Sequence, residues 1–474
     1  MSVKVVSQGY NQIIPWEKED PATRKLCGIY LGDGRILIPD ADLRSANVVE
    51  ISLPDGSRTI AGRVVKVDSD AGLGIIEPLR EEDLSFFEKS VPLALGFPLK
   101  TGDTAEVWDT ARGGIPLVTP VAVESGGESA AFLPQVKVKV GQVLSEGAPG
   151  LPLVKDGGLV GIAESYSAEA QLLFSPDQEV LRRFIEGPEE DSPGVPVLGA
   201  SMEQLIDPAF RAYLNLREED GGVYISKVEP RSAAEAAGLK KGDVLVSVDG
   251  VPIDARGLCR HPRLGPLSWV ALLRGAHALG DSAELEILRQ GERRILSVSL
   301  NRDALEKSLI GRDKPGEQPR YIMYGGLLFQ AVTADYLEAF KNRAKAGVPY
   351  EYLAIERNKE EYLKEGRQEL VALALVIPTS ATLGYDRMAA CVLDAINGQP
   401  VRSLEEAAEL LDAPTPSGLT VLSVNKPPYI ISLDRELVKA SNDYLLQRSL
   451  PTLRRLKSAV EGEKAGSREK ESEI

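Results

Sequence analysis

Short apolar runs separated by Gly, Pro and Asp fill the first 190 residues. GIYL, GRILIP, NVVEISLPDG, AGRVVKVDSD, GLGIIEP, VPLALGFP, AEVWDT and VKVKVGQVL follow one another, and this spacing predicts many short strands in a sandwich or barrel. SPDQEVLRRFIEG then predicts a helix, with Ser175 as N-cap, Pro176 at the first helical position, and Val180, Leu181 and Phe184 on one face. GPEEDSPGVP reads as a linker. Residues 197–301 mix the two periodicities: GGVYISKVEP as strand, SAAEAAGLKKGD as a short helix ending at Gly238, VLVSVDGVPI as strand, LSWVALLRG as helix, and a hairpin turning at Gln290-Gly291. A second charged linker follows, and residues 321–436 repeat the mixed pattern, with VLDAINGQPV echoing VLVSVDGVPI. The last stretch predicts a helix to about residue 460 and a charged tail. The expected division is therefore 1–190, 191–303, a linker at 304–320, 321–440, and 441–474.

Composition narrows the function. The 474 residues include 55 Lys+Arg against 70 Asp+Glu, a net charge of −15 that argues against a nucleic-acid binder or a polybasic membrane-surface protein. Cys27, Cys259 and Cys391 are far apart and odd in number, so neither a disulfide framework nor a Cys-rich zinc site is expected. No metal and no cofactor are predicted. His261 and His277 are the two histidines, which excludes chemistry needing several. The N-terminus has no apolar core of a signal peptide, and no run of ~18 apolar residues occurs, so no membrane span is expected. The chain as written reads as cytoplasmic, or as periplasmic or extracytoplasmic if it is a processed form.

Two stretches carry a resemblance. SAAEAAGLKKGDVLVSVDGVPI at 232–253 is similar to the core of a PDZ domain, and GAPGLPLVKDGGLVGIA at 147–163 resembles GNSGGPLVNxxGxVVGI of the HtrA/Deg serine proteases. PWEKEDP followed by GIYLGDGRILIP, and a second module carrying GGLLFQAVTADYL, resemble the plant-type Deg branch and its bacterial relatives. The resemblance implies a mainly β chain with α+β modules: a trypsin-like double β-barrel, a PDZ domain and a degenerate second PDZ-like domain.

That family's chemistry requires a Ser nucleophile, a His base and an orienting Asp. ILIPDADL stands where the family writes ILTNAHVV, placing Ala41 at the His position. VDSDAGLGII places Gly72 at the Asp position, and GAPGL places Pro149 at the Ser position. Proline also lacks the N–H that would help hold an oxyanion. The expectation is an inactive barrel without catalytic residues. Other candidates read as ordinary structure: Ser145 with Lys137 or Lys139 as loop and strand residues, Asp68 and Asp70 as turn residues, and Cys259-x-His261 as a loop feature.

A PDZ domain binds a peptide by adding it as a strand at a sheet edge. The resemblance assigns the carboxylate-holding turn to Leu198, Gly199 and Ala200, the start of the accepting strand to Ser201 and Met202, and the opposite wall to Trp269, Leu272 and Leu273. Trp269, Leu272 and Leu273 are equally consistent with core positions of an amphipathic helix. The second module shows no such turn and reads as a docking or assembly surface. The implied function is a proteolytically inactive scaffold or regulator whose partners are C-terminal or extended peptide segments. A trimer-based homo-oligomer, or mixing with an active paralogue, is implied too. The alternatives are a serine endopeptidase with a displaced site and a holdase for unfolded chains.

Overall fold

The computed structural model describes residues 1–40, 43–109, 117–141, 144, 149–188, 191, 194–217, 220–313, 316–343, 352, 359–448 and 450–457. The chain forms two compact units. One holds Met1–Ser7 and Pro21–Ala304; the other holds Gln8–Asp20 and Leu305–Ile474. The expected continuous 1–190 domain is thus interrupted. Gln8–Asp20 leaves after the first strand and joins the second unit, where Trp16 packs 5.6 Å from Tyr321 and the Gln12 carbonyl accepts from Gln330 Nε2 at 3.0 Å.

The first unit opens with two seven-stranded antiparallel sheets, the two halves of a trypsin-like double barrel. The first contains β1 (Ser2–Ser7), β2 (Ala22–Cys27), β3 (Ile29–Gly32), β4 (Arg35–Ile38), β5 (Ala46–Ser52), β6 (Thr59–Asp68) and β7 (Leu73–Pro78), in the order β2-β1-β5-β6-β7-β4-β3. Alternation drives it: Val3 and Val5 of β1 are fully buried while Lys4 and Val6 beside them are not. The second contains β8 (Thr104–Asp109), β9 (Leu117–Glu128), β10 (Pro134–Val140), β11 (Pro152–Lys155), β12 (Gly158–Ile162), β13 (Ser165–Ser167) and β14 (Leu172–Pro176), in the order β12-β11-β8-β9-β10-β14-β13. The closing helix α1 (Gln178–Glu186) buries Val180, Leu181 and Phe184 as expected. Its N-cap is Asp177, however, and not Ser175. Strand pairing wins there: Pro176 still pairs with Gln135, and the Ser175 hydroxyl accepts from the Ile162 N–H.

A PDZ module completes this unit. It contains β15 (Ala200–Gln204), α2 (Pro208–Tyr213), β16 (Val223–Val228), α3 (Ala233–Ala236), β17 (Val244–Val248), β18 (Val251–Pro252), β19 (Leu258–His261), β20 (Gly265–Ser268), α4 (Trp269–Ala276), β21 (Ser282–Arg289) and β22 (Glu292–Ser299). Its sheet runs β15-β16-β17-β21-β22, so β15 lies at an edge.

The second unit carries the second PDZ module. Its strands are β23 (Tyr321–Tyr324), β24 (Leu327–Ala331), β25 (Val371–Val376), β26 (Cys391–Ile396), β27 (Gln399–Pro400), β28 (Leu419–Val424), β29 (Ile430–Asp434) and β30 (Arg454–Arg455). The sequence echo becomes the same device twice. Asp249-Gly250 and Asn397-Gly398 all have φ between 50° and 79°, which suits the tight hairpin turns β17–β18 and β26–β27. The last helix is Arg435–Arg448, shorter than expected. Pro451 follows it, and the chain turns extended, with the Met323 N–H donating to the Leu453 carbonyl at 2.7 Å.

Candidate functional site

The first PDZ module offers an edge strand beside a helix. Ala200 and Met202 of β15 are half-buried and pack on the core that holds Leu198, Trp269 and Leu273. Ser201 and Glu203 alternate away and are exposed. An apolar floor thus lies along an edge whose backbone groups pair with no other strand among the described residues.

The turn before this strand is built for an anion. Gly199 has φ of +78°, the left-handed region open to glycine, and a Cβ there would meet the Ser232 side chain and lie 2.9 Å from Ala304 Cβ. Both carbonyls of the turn are satisfied: the Ala234 N–H donates to Leu198 O and the Glu229 N–H to Gly199 O, each at 2.8 Å. The Leu198 and Gly199 N–H groups meet no protein acceptor among the described residues. Successive unpaired backbone N–H groups form an anion-binding concavity. Of the residues assigned to this site, Leu198, Gly199, Ala200, Met202, Trp269 and Leu273 come together. Ser201 lies on the other face of the strand. Leu272 packs on the same core and also lines a cavity of about 60 Å³ with Pro134, Val180 and His261.

The helical wall is fixed to the barrel. Leu264 and Leu267 of the β19–β20 hairpin enter the core of the second barrel sheet. Arg263 grips the buried Asp177 carboxylate with two hydrogen bonds, 3.0 and 2.7 Å, and donates to the Leu99 carbonyl at 2.8 Å. The Ser268 N–H donates to Glu128 and the Ser268 hydroxyl does so at 2.8 Å, which holds the start of α4. Arg274 reaches the Pro196 carbonyl at 3.1 Å, one residue before Val197 and the turn. Cys259-x-His261 has a structural place here. The thiol is buried and its pKa is pushed up to about 11 by that burial, with help from Asp254. His261 Nδ1 accepts from the Leu264 N–H at 3.2 Å.

In the barrel, Ala41 and Ser145 lie outside the described residues. Gly72 is in the left-handed region at φ +65°, and Pro149 and Gly150 form a turn just before β11. The Pro149 carbonyl accepts from the Cys27 N–H at 3.0 Å. A side chain at 150 would collide with the Cys27 carbonyl, so the turn is held tightly. The two stretches meet through Ala163-Glu164. The Gly150 N–H donates to Ala163 O at 2.7 Å, while Glu164 Oε1 lies 3.6 Å from where a Cβ on Gly72 would stand. Glu164 is a residue that sequence reading missed. Its carboxylate approaches Gly72 from the opposite sheet, accepts from Gln135 Nε2 at 2.5 Å, and is pushed above the usual carboxylate range by burial. Lys139 donates to the Ala170 carbonyl at 2.6 Å; Asp68 caps the Ala71 N–H at 2.8 Å, and Asp70 accepts from Val195 N–H and Arg302.

Two PDZ domain models match residues 202–258 and 310–451. The chain is 25% identical over 416 residues to "Protease Do-like 2, chloroplastic" of Arabidopsis thaliana, covering 84% of this chain and 65% of that protein. It is 22% identical to "Putative protease Do-like 13" of the same plant, over 94% of this chain and 86% of the relative. "Serine protease HTRA4" of Homo sapiens is 26% identical over 48% of this chain and 52% of its own length. Among solved structures, "HtrA-type protease AlgW with decapeptide" matches with a TM-score of 0.44 at 16% identity, over 63% of this chain and 94% of that one.

Over most of its length the chain is similar to HtrA/Deg proteases, and it carries two PDZ domains.

In this HtrA/Deg-like chain the two PDZ modules differ at the groove. The strand corresponding to β15 in the second module is β24, and it is paired on both sides, with β25 and with β23. β23 runs antiparallel to β24, and its Ile322 and Tyr324 pack in one core with Leu404, Ala407, Ala408 and Leu411 of the helix Leu404–Asp412. The place of an added peptide strand is therefore taken by the module's own chain, and β30 pairs with β23 beyond it. Gly325 and Gly326 join β23 to β24, and the Gly325 N–H donates to Asn442 Oδ1 at 2.8 Å. Among the described residues, no group of three or more His, Cys, Asp or Glu is placed to hold a metal, and no helix is long and apolar enough to cross a membrane.

Proposed function

We propose that this protein is a non-proteolytic peptide-binding scaffold. Its first PDZ module captures the C-terminal segment of a partner as an added strand on β15. The observation that carries the reading is the Leu198-Gly199 turn. Its carbonyls are satisfied inward and its N–H groups are unpaired, at the end of an open edge with an apolar floor. A free carboxylate supplies the acceptors those groups lack. The barrel acts as the platform for α4. Gly72 and Pro149 at the Asp and Ser positions support the absence of proteolysis, since neither carries a carboxylate, hydroxyl or thiol, and Pro149 has no N–H for an oxyanion. Assembly as a trimer-based oligomer, alone or with an active paralogue, belongs to the same proposal; light scattering of the purified chain reads it directly.

The test is a calorimetric titration of the full chain with free-acid peptides ending in an apolar residue, alongside amidated twins. Binding of the acid and at least tenfold weaker binding of the amide is expected, about the loss of one charge-assisted hydrogen-bonded contact. Equal binding of both forms would discard the carboxylate turn.

A further inference from the structure

A cleft of the first unit begins where β15 ends. It has a volume of about 950 Å³, and Leu205 and Ile206, directly after Gln204, line it. Backbone pairing along the open edge stops at this point. The Leu205 N–H donates to the Ala255 carbonyl at 2.8 Å and Gln204 Nε2 to the Arg256 carbonyl at 3.1 Å. The turn that carries Arg256 is itself held by Asp254, whose Oδ1 accepts from the Arg256 and Leu258 N–H groups, each at 2.8 Å.

The charges that face this cleft are unevenly satisfied. Arg211 donates to the Arg217 and Asp220 carbonyls at 2.9 and 2.7 Å. Asp220 is ion-paired with Arg217 at 3.0 Å and Arg293 at 3.4 Å. Arg256 and Arg260 are both exposed, and neither side chain makes a hydrogen bond or ion pair among the described residues. Asp254 is the remaining carboxylate on the wall, so two unengaged guanidinium groups face one capping carboxylate. That is a local excess of positive charge on a chain whose net charge is −15. Ile206, 56% exposed, adds apolar surface beside them.

We propose that this cleft is a second subsite, which reads an acidic side chain about six residues upstream of the captured carboxylate. The proposal rests on the carboxylate turn of the preceding section. A peptide antiparallel to β15 from the Leu198-Gly199 turn lays roughly one residue against each strand residue, at about 3.3 Å per residue. Its last five residues cover Ala200–Gln204, and the next ones leave the edge over Arg256 and Arg260. Guanidinium groups bind a carboxylate in a planar two-point contact, which makes Asp or Glu the matching chemistry.

The experiment titrates the full chain with free-acid decapeptides that differ in one residue, Glu or Gln at the sixth position from the C-terminus. The Glu peptide is expected to bind about fivefold more tightly, the scale of a partly exposed ion pair, and the difference shrinks at high salt. Arg256→Ala combined with Arg260→Ala removes the difference while leaving the affinity for the Gln peptide unchanged. Equal binding of Glu and Gln peptides, with the preference for free acid over amide retained, overturns the subsite alone. Loss of the free-acid preference itself overturns the groove on which the subsite depends. A fivefold preference that survives the double substitution also overturns the assignment, because the acidic side chain is then read elsewhere.

Discussion

Three residues carry most of the account. Gly199 combines a left-handed backbone with a Cβ position already taken by Ser232 and Ala304. Gly199→Ala is expected to cost about 1–3 kcal/mol of stability and to abolish discrimination between free-acid and amidated peptides. Urea midpoints and the two titrations measure these separately, and an alanine variant that keeps the discrimination would contradict the turn's role. Glu164 makes a different prediction. An unfolded glutamate titrates near about 4.3, and burial raises this one in the fold. Its contribution is therefore fully present below about pH 4 and is lost as pH rises through the raised value. Relative to Glu164→Gln, the wild type should lose urea resistance as pH rises above about 4. Parallel curves for the two proteins would mean that Glu164 is not buried as described. Pro149→Ser returns a hydroxyl and an N–H but neither a His nor an Asp. No casein hydrolysis and no fluorophosphonate labelling are expected from it.

The decisive elements are β15, α4 and the β19–β20 hairpin. The hairpin ties the PDZ wall to the barrel through Arg263 and the buried Asp177, which is 1% exposed. Arg263→Ala strands that carboxylate and should cost about 3 kcal/mol, read as a lower urea midpoint of the first unit. Asp177→Ala with Arg263→Ala should cost less than the sum of the single changes, and strict additivity would show that the pair does not couple. These elements were unequally legible in the sequence. β15 and its turn could be placed by resemblance, and α4 by its apolar period, because both signals are local. The hairpin's partner could not: nothing near Arg263 points to Asp177, 86 positions earlier. Glu164 was hidden for the same reason, since its approach to Gly72 comes from pairing between distant strands. Ser175 failed as a helix cap because the competition between cap and strand was settled by Gln135, across the sheet. The second module's groove looked indistinct in sequence because β23 fills it, and a hairpin strand reads like any other strand.

Across the whole molecule, the proposed barrel platform accompanies one open and one self-filled PDZ groove. The open groove predicts capture of partners by their C-termini without their destruction. The most direct test incubates the full chain overnight with unfolded casein and a fluorescent free-acid peptide, following binding by anisotropy and chain length by mass spectrometry. The peptide should bind, and both substrates should remain full length. Fragments that accumulate in proportion to the protein, and that vanish after fluorophosphonate treatment, would contradict the central claim and identify a working serine nucleophile.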